Sequence, residues 1–298
     1  MRLCTFDAGE GPRAGAVRGQ GTILDLNKAD PSIPSDLNAV LAGGEAMMEK
    51  VRQFEASCSM PSVLRKLAEV RLLPPVRPTR YLDFYSFEQH VKTARAKRNL
   101  EVVPEWYDHP TYYNGNPYSM VGPDGEVRFP PGETQRDYEL ELAVVIGKPI
   151  RDATPEQAVD AIAGFTCLND WSARRIQMAY AKIGMGPSAG KDFATGLGPW
   201  IVTRDEVPDV GAIEMVATVN GEEWSRGLMR DARYDWGQML AFATRGAELR
   251  PGDVVGSGTF GGGCGYELDR FLQPGDVVAL TMRYGGKELG TLRQKVAA

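Results

Sequence analysis

Several acidic residues of the chain lie in apolar surroundings, where a carboxylate needs a partner. In DYELELAVVIG, Asp137 to Gly147, the two-residue period of a β-strand places Glu139 and Glu141 on one face. Asp170 follows an apolar run in FTCLNDW, and Asp83 lies among aromatic residues in YLDFYSF. Like charges in a half-buried strand are costly unless one carboxyl is protonated or a cation lies between them. The pattern indicates a divalent cation site, although the exposed face of an edge strand would also explain an isolated E-x-E pair.

The residue types available limit which ion such a site could hold. The chain has two histidines and four cysteines, and the cysteines are scattered without C-x-x-C spacing. Oxygen ligands therefore have to dominate, which favours Mg²⁺ or Mn²⁺, with Ca²⁺ as a further option, over zinc. The cysteine spacing also argues against a structural zinc site and a disulfide framework, and we expect the thiols to be reduced.

Two further side chains could complete a catalytic site. His90 follows Asp83 by seven residues, on a helix that we predict to open with a capping box of Ser86 and Gln89. Imidazole titrates near neutral pH, so His90 could take a proton from a water beside the metal; a surface histidine is the alternative. Lys191, in SAGKDFATG, could stabilise an oxyanion or be a solvated lysine.

Two other segments have residues that could bind a ligand. Arg174 and Gln177 are three residues apart on a predicted helix, so they share a face and could bind a carboxylate, although an exposed helix explains the spacing equally well. The run SGTFGGGCG, Ser257 to Gly265, lacks the G-K-[ST] of a phosphate loop. Its glycines favour close approach of the backbone to the active site instead of nucleotide binding.

The elements that must position these residues are mainly short strands. Asn220-Gly221 predicts a two-residue hairpin between VATV and EEW. Thr154, Pro155 and Gln157 predict a capped helix that continues through AVDAIAG and ends near Gly164. The segment Leu72 to Arg80, LLPPVRPTR, has three prolines. Because proline continues neither a helix nor a central strand, we place a boundary there, between an accessory domain at 1–76 and a catalytic domain at 77–298.

Composition excludes several classes of protein. With 298 residues, 43% of them hydrophobic, the chain can bury a substantial core. The net charge of -5 gives no electrostatic basis for binding nucleic acid. No apolar run reaches the length of a membrane span, and the start MRLCTFDAGEG lacks the pattern of a signal peptide. We therefore expect a cytoplasmic protein without a nucleic-acid or membrane partner.

Four segments together carry a resemblance to a known family. DFYSFEQH, ELELAVVIG, NDWSARRIQ and GKDFATGLGPW, in this order and spacing, resemble the fumarylacetoacetate hydrolase superfamily from about Tyr81 to the C-terminus. The resemblance implies a mainly β fold with α-helices, in which a mixed β-roll catalytic domain follows a small N-terminal α+β domain. It also implies a homodimer.

The resemblance assigns roles to particular residues. It implies that the metal is held by Asp83, Glu139, Glu141 and Asp170, that His90 and Lys191 are catalytic, and that substrate contacts fall on Tyr85, Tyr113, Arg174, Gln177 and Thr195. The sequence departs from the family where a glutamate assists the histidine, because a gapless overlay places Cys264 at that position. Glu267, three residues later, is the candidate substitute.

The expected reaction is metal-assisted hydrolysis of a carbon–carbon bond in an acylpyruvate or related 1,3-diketone. His90 would activate water and Lys191 would hold the oxyanion. Decarboxylation of a β-oxo-acid such as oxaloacetate and isomerisation of a 2-hydroxy-dienoate use related chemistry and stay open. A metal-binding protein without catalysis is the alternative outside enzymes, and the combination of four acids with His90 and Lys191 argues against it.

Overall fold

The computed structural model of the protein describes residues 1–19 and 21–298. Its centre is a twelve-stranded mixed sheet. Ten of its strands follow one another in the spatial order Leu64–Lys66, Thr22–Asp25, Pro12–Arg18, Arg2–Asp7, Thr195–Thr203, Ile162–Asn169, Leu140–Ile146, Val254–Gly256, Tyr81–Phe84 and Tyr112–Gly115. Arg71–Leu73 pairs with Arg2–Asp7, and Met120–Val121 pairs with Thr195–Thr203.

A second sheet and the helices surround this centre. The five-stranded sheet has the order Glu222–Leu228, Glu214–Val219, Val277–Tyr284, Lys287–Val296 and Glu126–Val127. Two short pairs join Arg136–Asp137 to Ser172–Ala173 and Ile150–Arg151 to Glu248–Leu249. The α-helices of the described residues span Leu26–Ala29, Leu37–Ala42, Gly44–Ser57, Glu88–Ala96, Glu105–Asp108, Pro155–Asp160, Arg174–Lys182, Trp236–Ala243 and Gly265–Leu268.

The central strand Leu140–Ile146 separates two apolar cores. Leu142 and Val144 belong to the core that the five-stranded sheet covers. Ala143 and Val145 point to the opposite core. The alternation follows from the two-residue period of a strand that is buried on both faces. The mainly β fold with helices that the sequence predicts is confirmed.

The N-terminal segment joins the same central sheet. Arg2–Asp7 pairs antiparallel with Thr195–Thr203, with Leu3 opposite Ile201. Leu3 and Leu24 lie in one core cluster with Leu197 and Ile201. The segment thus shares a sheet and a core with residues beyond 77, and the domain boundary near residue 76 stays a prediction.

The structure confirms the predicted hairpin turn and one of the two predicted helix caps. Asn220 and Gly221 both have positive φ, 51° and 85°, in the turn between Glu214–Val219 and Glu222–Leu228, as the hairpin signal predicts. The capping box of Thr154 and Gln157 is present.

The predicted end of that helix near Gly164 is wrong. The helix ends at Asp160, because residues from Ile162 onward form a strand between Leu140–Ile146 and Thr195–Thr203. The capping role predicted for Ser86 is also wrong. Its hydroxyl donates to the backbone carbonyl of Ser257, and Phe87 precedes the helix without a side-chain cap.

None of the helices in the described residues is both long and apolar enough to cross a membrane.

Candidate active site

Three buried carboxyl groups converge where neighbouring strands of the central sheet meet. Asp83 lies on Tyr81–Phe84 and Glu141 on Leu140–Ile146, and Asp170 directly follows Ile162–Asn169. One oxygen from each of the three residues lies within 4.8 Å of one from each of the others. We call this group the acid cluster. All three side chains are almost completely shielded from solvent.

The strand Val254–Gly256, which separates the strands of Asp83 and Glu141, leaves room for the cluster because it ends in glycine. Gly256 pairs with Asp83 on one side and with Ala143 on the other. A Cβ atom at Gly256 would lie 2.6 Å from Asp83 Oδ1 and 2.9 Å from Glu141 Oε2. Only glycine therefore allows the two carboxyl groups to meet across this strand.

The hydrogen bonds of the acid cluster leave oxygens free. Tyr81 donates to Asp83 Oδ2 at 3.0 Å, Tyr113 to Asp170 Oδ2 at 2.8 Å, and the Gly258 amide to Glu141 Oε2 at 3.0 Å. Within the described residues, Asp83 Oδ1 and Asp170 Oδ1 are buried without a hydrogen-bond partner. Buried polar atoms normally have a partner, so these two oxygens fit a bound cation.

Electrostatics support the same interpretation of the cluster. Burial raises the pKa of Asp83 above that of an ordinary aspartate. Burial and the neighbouring carboxylates raise the pKa values of Glu141 and Asp170 further. Three such groups become fully charged at neutral pH only when a positive charge joins them, and oxygen donors suit Mg²⁺ or Mn²⁺.

Glu139 lies beside the cluster and is held by two cations. Its Oε2 lies 2.5 Å from Lys191 Nζ, and its Oε1 lies 2.8 Å from Arg174 Nη1. Burial alone would raise the pKa of Glu139, but these two cations lower it below the ordinary value. Lys191 also lies 2.6 Å from Asp170 Oδ2. Burial opposes its charge, yet the carboxylates raise the pKa of Lys191, so the ammonium stays protonated and serves as a donor.

His90 and Glu267 form a separate pair near the cluster. His90 lies on Glu88–Ala96, and its Nδ1 is 2.8 Å from Glu267 Oε2. The Gly262 amide donates to the other carboxyl oxygen at 3.1 Å. Although burial opposes it, the bond to His90 lowers the pKa of Glu267, so the carboxylate accepts the Nδ1 hydrogen. Nε2 is then the ring nitrogen with the free lone pair.

Cys264 lies next to Glu267 in this pair. It faces Glu139 in an isolated β-bridge, and its Sγ is 3.5 Å from Glu267 Oε2. Burial raises the pKa of the Cys264 thiol well above the ordinary value, so the thiol is protonated. Of the two residues considered as the partner of the histidine, Glu267 supplies the carboxylate in contact with it.

A cavity of about 310 Å³ is lined by both the acid cluster and His90. Residues predicted to contact substrate line it, namely Tyr85, Tyr113, Arg174 and Gln177. Thr195 is not among the lining residues. It is buried at the start of Thr195–Thr203, opposite Met120.

Arg174 is buried and contacts carboxylates of the protein itself, whereas its spacing from Gln177 suggested a substrate carboxylate or an exposed helix. Its Nε donates to Asp137 Oδ2 at 2.7 Å, and its Nη1 donates to Gln177 Oε1 at 2.9 Å and also reaches Glu139. The guanidinium is therefore anchored by protein carboxylates before any substrate binds. Both Arg174 and Gln177 line the cavity, at the start of the helix Arg174–Lys182.

Three residues that support the site were not predicted from the sequence. Tyr81 donates to Asp83, Asp137 binds Arg174, and Thr259 donates to Glu141 at 3.3 Å. Asp137 could have been found, because it precedes Glu139 by one strand period. Thr259 could have been found as the only hydroxyl within the glycine-rich stretch GTFGGG. Nothing in the sequence indicates a role for Tyr81 except that it precedes Asp83 by two residues.

Known proteins match the chain over nearly its whole length. The model of the fumarylacetoacetate hydrolase C-terminal family matches residues 79–297. Human oxaloacetate tautomerase FAHD2A, a mitochondrial protein, is 34% identical over 304 residues, which cover 99% of this chain and 91% of that protein. Because that relative is mitochondrial, the cytoplasmic location expected for this chain stays a prediction. The homodimer also stays a prediction.

Solved structures of two bacterial enzymes have the same fold. Maleylpyruvate hydrolase from Sphingobium sp. SYK-6, in complex with manganese(II) and pyruvate, is 26% identical with a TM-score of 0.75 and covers 100% of this chain and 99% of its own. The 5-carboxymethyl-2-hydroxymuconate delta-isomerase from Mycobacterium smegmatis is 25% identical with a TM-score of 0.74, at 100% and 99% coverage. The relatives thus include a tautomerase, a hydrolase and an isomerase. The resemblance seen in the sequence is confirmed, and the chain belongs to the fumarylacetoacetate hydrolase family.

Proposed function

We propose that the protein hydrolyses a carbon–carbon bond in an acylpyruvate or related 1,3-diketone. The observation that carries this proposal is the His90–Glu267 pair, whose His90 borders the same cavity as the acid cluster. A carboxylate that holds the Nδ1 hydrogen orients the imidazole and stabilises its protonated form, as a base that activates water requires.

The acid cluster would hold the divalent cation. Asp83, Glu141 and Asp170 offer oxygens close together, two of them without partners in the described residues. Glu139, which lines the same cavity, is the fourth proposed ligand, and it would bind the ion in exchange for one of its contacts with Lys191 and Arg174. A Mg²⁺ or Mn²⁺ ion bound there acts as a Lewis acid toward the oxygens of a 2-oxo-acid. The manganese and pyruvate in the Sphingobium hydrolase support this assignment.

The chain's own groups supply the remaining chemistry. His90 Nε2 takes a proton from water as the water oxygen attacks the acyl carbonyl carbon. Lys191, which stays protonated, is the proposed donor to the developing oxyanion. When the carbon–carbon bond breaks, the carbon that leaves takes the proton back from His90, so the products are a carboxylic acid and pyruvate. Tyr85, Gln177 and Tyr113 border the space in which this substrate would lie.

A second candidate function is tautomerisation of an oxo-acid. The specific observation in its favour is the 34% identity with an oxaloacetate tautomerase over 99% of this chain. In this reaction His90 would move one proton between the carbon and the oxygen of the enol, without attack by water and without bond cleavage.

A product assay separates these reactions. Purified protein with Mg²⁺ or Mn²⁺ is offered acetylpyruvate, fumarylpyruvate and the enol form of oxaloacetate, and a Glu139→Gln/Glu141→Gln variant serves as the control. Metal-dependent formation of two acids supports hydrolysis. Loss of the enol absorbance without new acids supports tautomerisation, and release of CO₂ supports decarboxylation. Turnover that is equal in the control would overturn the assignment of the site.

A further inference from the structure

We propose that His90, Cys264 and Glu267 form a second metal site, which takes a softer ion such as Zn²⁺ and switches the catalytic base off. Imidazole nitrogen, thiol sulfur and carboxylate oxygen of these residues all lie within 4.8 Å of one another. We call this group the mixed-donor site. None of its members belongs to the acid cluster.

The donor types separate the two sites chemically. The acid cluster offers only oxygen, which suits Mg²⁺ and Mn²⁺. The mixed-donor site offers nitrogen, sulfur and oxygen, a set that zinc binds in proteins and that magnesium avoids. The two sites should therefore fill with different ions from the same solution.

The spacing of the donors is close to that of a tetrahedral zinc site. His90 Nδ1 and Cys264 Sγ lie 2.8 Å and 3.5 Å from Glu267 Oε2. Zinc bonds of about 2.0–2.3 Å place tetrahedral ligands roughly 3.3–3.8 Å apart, so the imidazole would move about half an ångström away from Glu267. The imidazole and the thiol, which lie within 4.8 Å of each other, would both turn toward the ion. His90 is the member of the site that borders the cavity, so an ion would enter past the imidazole, and a water would take the fourth position.

Ion binding would reverse the roles of the two ring nitrogens. An ionised Glu267 can only accept a hydrogen bond, so Nδ1 is the donor in this 2.8 Å contact, and in the neutral ring the lone pair then lies on Nε2. When Nδ1 binds the ion, the single hydrogen of the neutral ring has to reside on Nε2. Nε2 can then donate but not accept a proton, so the base is lost without any change in the acid cluster.

The charges of the mixed-donor site also balance. A divalent ion displaces the thiol proton of Cys264 to solvent, since a coordinating thiol is deprotonated outright. The thiolate and the Glu267 carboxylate together then neutralise the ion. One proton is released for each ion bound.

The inhibition part of this inference rests on the proposed function, in which His90 is the base, whereas the binding part does not. Cobalt(II) is a suitable probe of binding, because cobalt bound to a thiolate absorbs in the near ultraviolet and cobalt bound to oxygen alone lacks this band. Full-length protein saturated with Mg²⁺ is titrated with Co²⁺. We expect a thiolate–cobalt band that saturates at one equivalent.

Cys264→Ser should abolish the band, and Cys58→Ser is the matched control, since Cys58 is a partly exposed thiol far along the chain from the site. If Cys264→Ser does not fold, His90→Gln is the second variant and should weaken cobalt binding by about tenfold or more. A band that persists unchanged in Cys264→Ser, or its absence in the wild-type protein, overturns the site.

Zinc inhibition is the functional test. In the assay with Mg²⁺, Zn²⁺ should reduce wild-type turnover about tenfold or more, and Cys264→Ser should resist it while Cys58→Ser should not. Equal inhibition of all three proteins overturns the switch. A wild-type protein without turnover on any substrate contradicts the proposed function, yet the cobalt titration still decides the site.

Discussion

At the scale of single residues, the four carboxyl groups of the candidate site differ in how many positively charged side chains they contact. Glu139 has two cations, Lys191 and Arg174, against its oxygens. Asp83 and Glu141 have no ion pair in the described residues, and Asp170 shares Lys191. The deficit of positive charge therefore lies at the acid cluster, and this deficit is the physical reason for placing the ion there.

His90→Gln should lower kcat by a factor of about 10² or more, because a positioned base contributes at least that much. The affinity for Mn²⁺, measured by titration calorimetry, should be unchanged, since His90 is outside the acid cluster. His109→Gln is the control, because this exposed histidine stacks on Phe242 away from the cavity. Turnover above about a tenth of the wild-type value in His90→Gln would refute the assigned base.

The affinity for Mn²⁺ should rise with pH. Burial raises the pKa values of Asp83, Glu141 and Asp170. The metal-free cluster therefore retains protons above pH 4 to 5, and each one has to leave before the ion binds. As pH rises through the raised pKa values this cost disappears, so the association constant increases by up to about tenfold per pH unit for each proton displaced. Calorimetry between pH 5.5 and 8 would contradict this if affinity stayed flat or fell.

At the scale of elements, one short strand sets the spacing of the acid cluster. Val254–Gly256 pairs parallel with Tyr81–Phe84 and antiparallel with Leu140–Ile146, so it separates Asp83 from Glu141 by one strand. A side chain at its last residue would occupy the space where the two carboxyl groups meet. The absence of a side chain at Gly256 is thus what makes the three strands a binding site.

Gly256→Ala should weaken Mn²⁺ binding by about tenfold or more, because its Cβ would displace the oxygens of both Asp83 and Glu141. Electron paramagnetic resonance of free Mn²⁺ measures the affinity. Gly211→Ala is the matched control, since Gly211 is far from the cluster and its neighbouring atoms are 3.2 Å or more from an added Cβ. Equal Mn²⁺ affinity in both variants would show that the strand does not set the spacing.

Features of the structure that are set by residues adjacent in sequence could be predicted, and features set by residues distant in sequence could not. The strand that carries Glu141 and the turn at Asn220 follow from neighbouring residues, so their patterns were sufficient; Glu139 lies just before the first residue of that strand, in an isolated bridge with Cys264. The helix end at Asp160 was not predictable, because the strand that replaces it pairs with strands distant in sequence. The contacts of Glu139 with Lys191 and of His90 with Glu267 join residues 52 and 177 positions apart, which no local pattern reports.

At the scale of the whole molecule, the N-terminal segment supports the sheet that holds the site. Arg2–Asp7 lies next to Thr195–Thr203, which in turn lies next to the strand that ends at Asp170. One core cluster contains Leu3 and Val40 together with Ala143 and Leu197. The segment is therefore coupled to the acid cluster through a shared sheet, whatever its status as a domain.

Residues 77–298 expressed alone should fail to fold cooperatively. Removal of 1–76 exposes Leu197, Ile201 and their neighbours in the shared core, and full exposure of a buried aliphatic side chain costs about 1.5–3 kcal/mol. A few such losses equal the whole stability of a typical domain, about 5–15 kcal/mol. Circular dichroism during heating should show no sharp transition for 77–298, and coexpression with 1–76 should restore it, along with Mn²⁺ binding. A sharp transition and full Mn²⁺ affinity in 77–298 alone would instead establish an independent catalytic domain with an accessory domain before it.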